Sequence, residues 1–177
     1  MHHVERNIIR LQLRARPRMV TLFTNWGPVA IWAALIFYFS TGSFSSQETS
    51  HILEPALNWL FPGLSTDQFE MVHLTIRKLG HWGEYFVFAV LVFRALRHQW
   101  RESGDLHDSA LTMVIVFLYA SSDELHQLFV PSRTASFADV LLDTLGGACA
   151  VAFMILYQRR KKNAPLRIAE TGKIQKT

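Results

Sequence analysis

Hydrophobic positions along the chain gather into four long blocks separated by polar segments. A helix needs about 20 mostly apolar residues to cross a hydrocarbon layer of roughly 30 Å at 1.5 Å per residue. The block Val20 to Ser40 meets that requirement without a charge, and Pro28 within it bends the helix or marks its effective start. Leu79 to Leu96 meets it with His81 and Glu84 near its beginning and Arg94 near its end. The third block, "ALTMVIVFLYASS" from Ala110, is too short while uncharged and must run on through "DELHQLF" to cross. The fourth, Phe137 to Tyr157, carries Asp139 and Asp143 in its first half. The pattern predicts an all-α fold, a bundle of four transmembrane helices over about 20–40, 79–96, 110–129 and 137–157. A basic segment, 1–19, precedes this membrane domain of 20–157, and a basic tail, 158–177, follows it.

The formal net charge of +4 does not point to nucleic acid, because the basic residues collect at the chain ends and not along one face. Their placement instead sets an orientation, since short cytoplasmic loops are enriched in Lys and Arg. Arg6, Arg10, Arg14, Arg16 and Arg18 precede the first span, Arg97 and Arg101 follow the second, and Arg159 to Lys162 follow the fourth. Four spans put all of these on one side, so both termini are expected in the cytoplasm. The segments Thr41 to Arg77 and Val130 to Ser136 then face outward. The run Val20 to Ser40 is long for a secretory h-region and no A-x-A-like site follows it, so it is expected to remain as a span. The single cysteine, Cys149, allows no disulfide framework and reads as inert packing among small residues. In the first outer segment, Ile52, Leu53, Leu57, Leu60 and Phe61 are spaced as a short amphipathic helix, lying on the membrane or packed on the bundle rim. The basic tail is expected to be solvated and mobile.

The ionisable residues inside the spans fall at one depth. Counted from the cytoplasmic ends, Glu84 and His81 lie roughly 18 and 22 Å deep, Asp123 and His126 roughly 20 and 24 Å, and Asp143 and Asp139 roughly 21 and 27 Å. Asp123, His126 and Gln127 share a helix face, as do Asp139 and Asp143, and His81 with Glu84. Arg77 stands one turn before His81, and Glu124 points about 100° away from Asp123. Each charge facing lipid costs at least ~2.5 kcal/mol. The spacing therefore predicts a polar cavity, open to the outside, in the outer half of the membrane.

Residue chemistry divides the cavity into two sets. His81, Glu84, Asp123, His126 and Asp143 are the candidates for proton transfer, or for setting the charge of the groups that perform it. Arg77, Lys78, Glu124, Gln127, Arg133 and Asp139 are the candidates for binding a ligand. Arg133 reads either as a bidentate clamp on phosphate or carboxylate, or as an interface anchor. Glu84, Asp123, Glu124, Asp139 and Asp143 outnumber Arg77, Lys78 and Arg133, so protons, charged histidines or a divalent cation must balance them. Neither "HWGE" nor "DELH" matches H-E-x-x-H, which leaves any metal or other cofactor undefined. Gly80, Gly83, Gly146 and Gly147 are expected to allow close helix packing. Ser121 and Ser122 are expected to bond their own backbone.

"RKLGHWGEYFVFAVL" (Arg77 to Leu91) and "YASSDELHQLFVPSRTASFADVLLDTLGG" (Tyr119 to Gly147) resemble the VanZ-like family, as does "IFYFS" at the end of the first span. The resemblance runs from about Ile36 to Gly147. It implies a small four-helix protein of the bacterial cytoplasmic membrane whose shared core is the set of polar residues above. It also implies an association with teicoplanin resistance in some members, but no defined activity. Three functions are compatible with these residues. The first is a site that binds, or catalyses transfer at, an anionic envelope molecule such as a lipid-linked phosphate or cell-wall precursor. The second is a non-catalytic scaffold whose polar layer is a structural network. The third is a small proton-coupled transporter, which four helices would serve best as an oligomer. Membrane lipids are the expected surroundings in each case, and the sequence defines neither enzyme activity nor oligomeric state.

Overall fold

A computed structural model describes residues 18–42, 45–99 and 104–174, and among them the chain forms helices and no strand. The five helices are α1 (Arg18–Ser40), α2 (Ser46–Leu60), α3 (Thr66–Gln99), α4 (Asp105–Gln127) and α5 (Phe137–Ile174). Most of the expected N-terminal basic segment, with Arg6 to Arg16, lies outside the described residues, as does Arg101.

Local signals explain the helix starts. Ser45 caps α2, its hydroxyl accepting the Glu48 amide. Ser65 and Gln68 form a reciprocal capping box, with the Ser65 amide on Gln68 Oε1 at 3.0 Å and the Gln68 amide on Ser65 Oγ at 3.3 Å. The turn between α2 and α3 uses Gly63 at a φ of 101°, a conformation that favours glycine. Because the box sits so far upstream, α3 begins at Thr66 and not near Leu79. Arg77 and Lys78 therefore lie within a helix rather than at the end of an outer loop. The amphipathic segment of the first outer region is helical, as α2. The tail after Tyr157 continues as helix to Ile174, consistent with its strong helix formers Gln158 to Lys162, and Arg159, Arg160 and Lys161 are exposed as expected of a solvated segment. One further expectation is corrected: Cys149 is exposed on α5 and is not packed.

α3 is the central element and packs most extensively against α5, then against α4 and α1. Its Tyr85, Phe88, Ala89, Val92 and Leu96 are buried against Ile36 of α1, Val116 and Ala120 of α4, and Ala150 of α5. The helix crossing depends on two glycines of α5. A Cβ on Gly146 would overlap the Trp82 carbonyl, and one on Gly147 would lie 2.8 Å from Val116 Cγ1. Gly80 and Gly83 differ from expectation, because a Cβ at either would meet nothing within 4 Å. No helix approaches them closely. At the far end of the bundle, Arg97 closes the α3–α4 turn through Asp105 and the fully buried Asp108, at 3.2 Å from the latter.

Among the described residues, three stretches are long and apolar enough to cross a membrane: Leu22–Ser40, Thr66–Gln99 and Phe137–Lys161. α4 is not among them, its length being broken by polar residues such as His107, Asp108, Asp123 and Glu124. Its burial is nonetheless inverted relative to a water-soluble helix. Val114, Phe117, Leu118 and Leu125 face outward, while Asp108, Thr112, Asp123, Glu124 and Gln127 are buried.

Candidate functional site

One stripe of α3 supplies half the site. Arg77, Gly80, His81 and Glu84 follow one another at i, i+3, i+4 and i+7, which places them along a single helix face. α5 supplies Asp139 and Asp143, α4 supplies Asp123, Glu124, His126 and Gln127, and the α4–α5 loop supplies Arg133.

Three contacts tie these elements together. Lys78 Nζ donates to Asp139 Oδ1 at 3.2 Å, pairing α3 with α5 across an exposed edge. His81 Nδ1 stands 3.9 Å from Oδ1 of Asp143, which is fully buried. Glu124 Oε2 accepts the Ser136 amide at 2.8 Å and so holds the loop at the start of α5. Asp123 lies beside Ser40 and Gln127, deep to the loop. The Tyr85 hydroxyl is buried with no hydrogen-bond partner, and Glu84, Asp123 and Asp143 are its charged neighbours.

Arg133 is committed differently from a free clamp. Its Nε and Nη2 donate to the Thr41 carbonyl, at 3.3 and 3.1 Å, and Nη2 also donates to the Phe39 carbonyl. These carbonyls belong to the end of α1, where helical carbonyls lack intrahelical partners. Arg133 thus caps α1 while its guanidinium forms part of the cavity wall. Burial, and then the adjacent Arg77, pull that guanidinium below its ordinary range, against the opposing carboxyls of Asp123, Glu84 and Glu124. Among the described residues Arg77 has no comparable tie, and its Nη1 is buried without a hydrogen-bond partner.

Two open cavities meet at Arg77, His81 and Arg133. One, of about 220 Å³, is completed by Phe39, Thr49, Gly80 and Glu84. The other, of about 360 Å³, is completed by Leu74, Lys78, Gln127, Ser132, Thr134, Ser136 and Asp139. A third cavity, of about 430 Å³, lies between α2 and α3 around Glu54, Phe69, Glu70 and His73, and none of the candidate residues lines it.

A family model described as VanZ/LLP1 matches residues 26–158, which include every residue that lines these cavities. The chain belongs to the VanZ/LLP1 family. No curated protein and no solved structure matches it. Family membership and the three apolar stretches mark it as a membrane protein.

In this VanZ/LLP1 protein the candidate residues occupy two levels. Arg77, Lys78, His81, Glu84, Gln127, Arg133 and Asp139 line the cavities. Asp123, Glu124 and Asp143 are buried and do not line them. His126 is separate again, its ring tilted against Phe37 at 4.6 Å and its Nδ1 buried without a partner. Only one of the two histidines therefore reaches the cavity wall. Among the described residues no group of three His, Cys, Asp or Glu side chains converges so as to hold a metal ion. Sequence reasoning missed Thr49, Phe39, Tyr85 and the hydroxyls of Ser132, Thr134 and Ser136. The alternating hydroxyls of "SRTAS" were a readable signal, whereas Thr49 reaches the site only because α2 folds back onto α3. A 3.0 Å hydrogen bond between Thr49 and the buried His73 fixes that return. Ser121 and Ser122 bond the carbonyls of Phe117 and Tyr119, each at 2.8 Å, as their helical setting predicts.

Proposed function

We propose that this protein binds the anionic phosphate of an envelope lipid or cell-wall precursor between Arg77 and Arg133, on the outer side of the bacterial cytoplasmic membrane. The observation that carries this reading is the buried, unpartnered Nη1 of Arg77 beside a second guanidinium at an open cavity. A buried donor without an acceptor is costly, and an anion there would satisfy it while relieving repulsion between the two arginines. His81, with one nitrogen turned toward Asp143, is the group best placed to move a proton at the bound phosphate. The reaction class that fits is hydrolysis or transfer at phosphate, and through that ligand the protein would influence the response to a glycopeptide such as teicoplanin.

The reading takes α4 as a fourth span. Its outward apolar face and inward acids support this, since in lipid the polar side of a helix belongs inside the bundle. Positive charge at Arg97 and Arg159 supports cytoplasmic termini, with the Arg133 loop outside. A structural scaffold is the second reading, favoured by the engagement of Arg133, Glu124 and Lys78 with protein groups. Purified protein incubated with labelled polyprenyl phosphate, with and without divalent metal, separates the two. Saturable binding or turnover supports the proposal, and neither under any condition sinks it.

A further inference from the structure

We propose that the ligand is a phosphodiester joining a hydrocarbon tail to a hydroxyl-rich head group, held with its two halves in different chambers. This rests on the anion reading above and adds what lies on each side of the anion.

The two cavities share the wall of Arg77, His81 and Arg133 and extend from it in different directions. A phosphate at that wall would have room for a substituent on either side, which is the shape of a diester and not of a monoester. The chambers differ in chemistry. The larger, at about 360 Å³, falls within the range of small-molecule sites. It presents the hydroxyls of Ser132, Thr134 and Ser136, the Gln127 amide and the Lys78–Asp139 pair, a mixture of donors and acceptors suited to a sugar or polyol. The smaller runs over Gly80 toward Phe39. Beyond the shared wall it is lined by Phe39, the bare backbone of Gly80, Thr49 and Glu84, so its apolar surface is the Phe39–Gly80 side.

Gly80 is informative because no packing requires it. A Cβ there would meet nothing within 4 Å, and glycine weakens a helix interior relative to alanine. The open space above it is the floor of the smaller chamber, where a hydrocarbon chain would pass. Gly83 is equally unencumbered but lines neither chamber, which makes it the natural control.

The test measures binding of three probes to the full chain in nanodiscs: farnesyl phosphoryl-glucose, farnesyl phosphate and glucose 1-phosphate. The diester is expected to bind at least tenfold tighter than either partial probe. Gly80→Leu should weaken both farnesyl probes about tenfold and leave glucose 1-phosphate unchanged, while Gly83→Leu changes none. Thr134→Val with Ser132→Ala should remove the preference for the diester over farnesyl phosphate. Gly80→Ala, which adds a Cβ into open space, provides a milder version if the leucine variant does not fold. Equal binding of diester and monoester, both lost in Arg77→Gln, would overturn the two-chamber proposal and leave the anion site standing. Retention of tight farnesyl binding in folded Gly80→Leu and Gly80→Ala would overturn the tail path alone. Binding of none of the three would remove both readings.

Discussion

His81 Nδ1 faces Asp143 Oδ1 at 3.9 Å, joining a cavity-lining histidine of α3 to a fully buried carboxyl of α5. Neither oxygen of Asp143 has a hydrogen-bond partner among the described residues. A buried carboxyl without donors is an unfavourable way to hold a bundle together. The pair makes more sense as an orienting contact for His81 than as structural glue. Asp143→Asn should therefore leave the unfolding midpoint unchanged or raise it, by up to about 1 kcal/mol in stability. It should also abolish any turnover of a phosphate ligand. A large loss of stability measured by thermal unfolding in detergent would make Asp143 structural instead.

The α3–α5 crossing leads to a contrast among glycines. Gly146→Ala forces a methyl group into the Trp82 carbonyl, so it should cost about 1–3 kcal/mol, as overpacking does. Gly83→Ala, with open space around it, should stabilise by up to about 1 kcal/mol through helix propensity. Matched thermal unfolding of the two variants checks both signs.

Arg133 and Arg77 should separate by what their loss affects. Arg133→Lys cannot reproduce donation from two nitrogens to the carbonyls of Phe39 and Thr41, and should destabilise by roughly 1–2 kcal/mol. Arg77→Gln removes a guanidinium whose Nη1 has no hydrogen-bond partner among the described residues, and should leave stability within about 0.5 kcal/mol of the parent. Unfolding midpoints of the two proteins, read alongside ligand binding, test the division between cap and ligand group.

At the other end of the bundle, Arg97→Met would leave Asp108 buried without its guanidinium. The expected cost is about 1–2 kcal/mol, less than for a fully buried pair because His107 Nδ1 still stands 3.4 Å from Asp108 Oδ1. Arg94, exposed on the same helix, provides the comparison: Arg94→Met should stay within about 0.5 kcal/mol. Chemical denaturation of both variants measures the difference.

Much of this arrangement was legible in the sequence. Helical counting from apolar ends placed the acids and histidines of three helices at one depth; of these His81, Glu84 and Asp139 line the cavities, whereas Asp123, His126 and Asp143 do not. The early start of α3 was also written in the chain, as Ser65 followed by Gln68 three residues later. Other features were not. Gly80 and Gly146 look alike as helix glycines, and only the approach of Trp82 makes one a packing site and the other open space. Arg133 bonds to carbonyls ninety-two and ninety-four residues earlier, and a backbone carbonyl carries no side-chain signature. His126 shares a face with Asp123, yet a ring contact with Phe37 of α1 decides its place. Such contacts depend on which neighbour a helix meets, and periodicity within one helix does not encode that.

Orientation follows from the same layer. Ser132, exposed in the α4–α5 loop, and Arg159, exposed near the far end of the last apolar stretch, should lie on opposite sides of the membrane. In a Cys149→Ser background, Ser132→Cys should react with an impermeant maleimide on intact cells. Arg159→Cys should react only after lysis.

The most direct test of the anion site is native mass spectrometry of the wild-type protein and Arg77→Gln, each released from bacterial membranes. The wild type should carry a phosphorus-bearing amphiphile at close to one per chain, and Arg77→Gln, folded to the same extent, should lack it. The same bound species at the same occupancy in both proteins would contradict a phosphate site at Arg77.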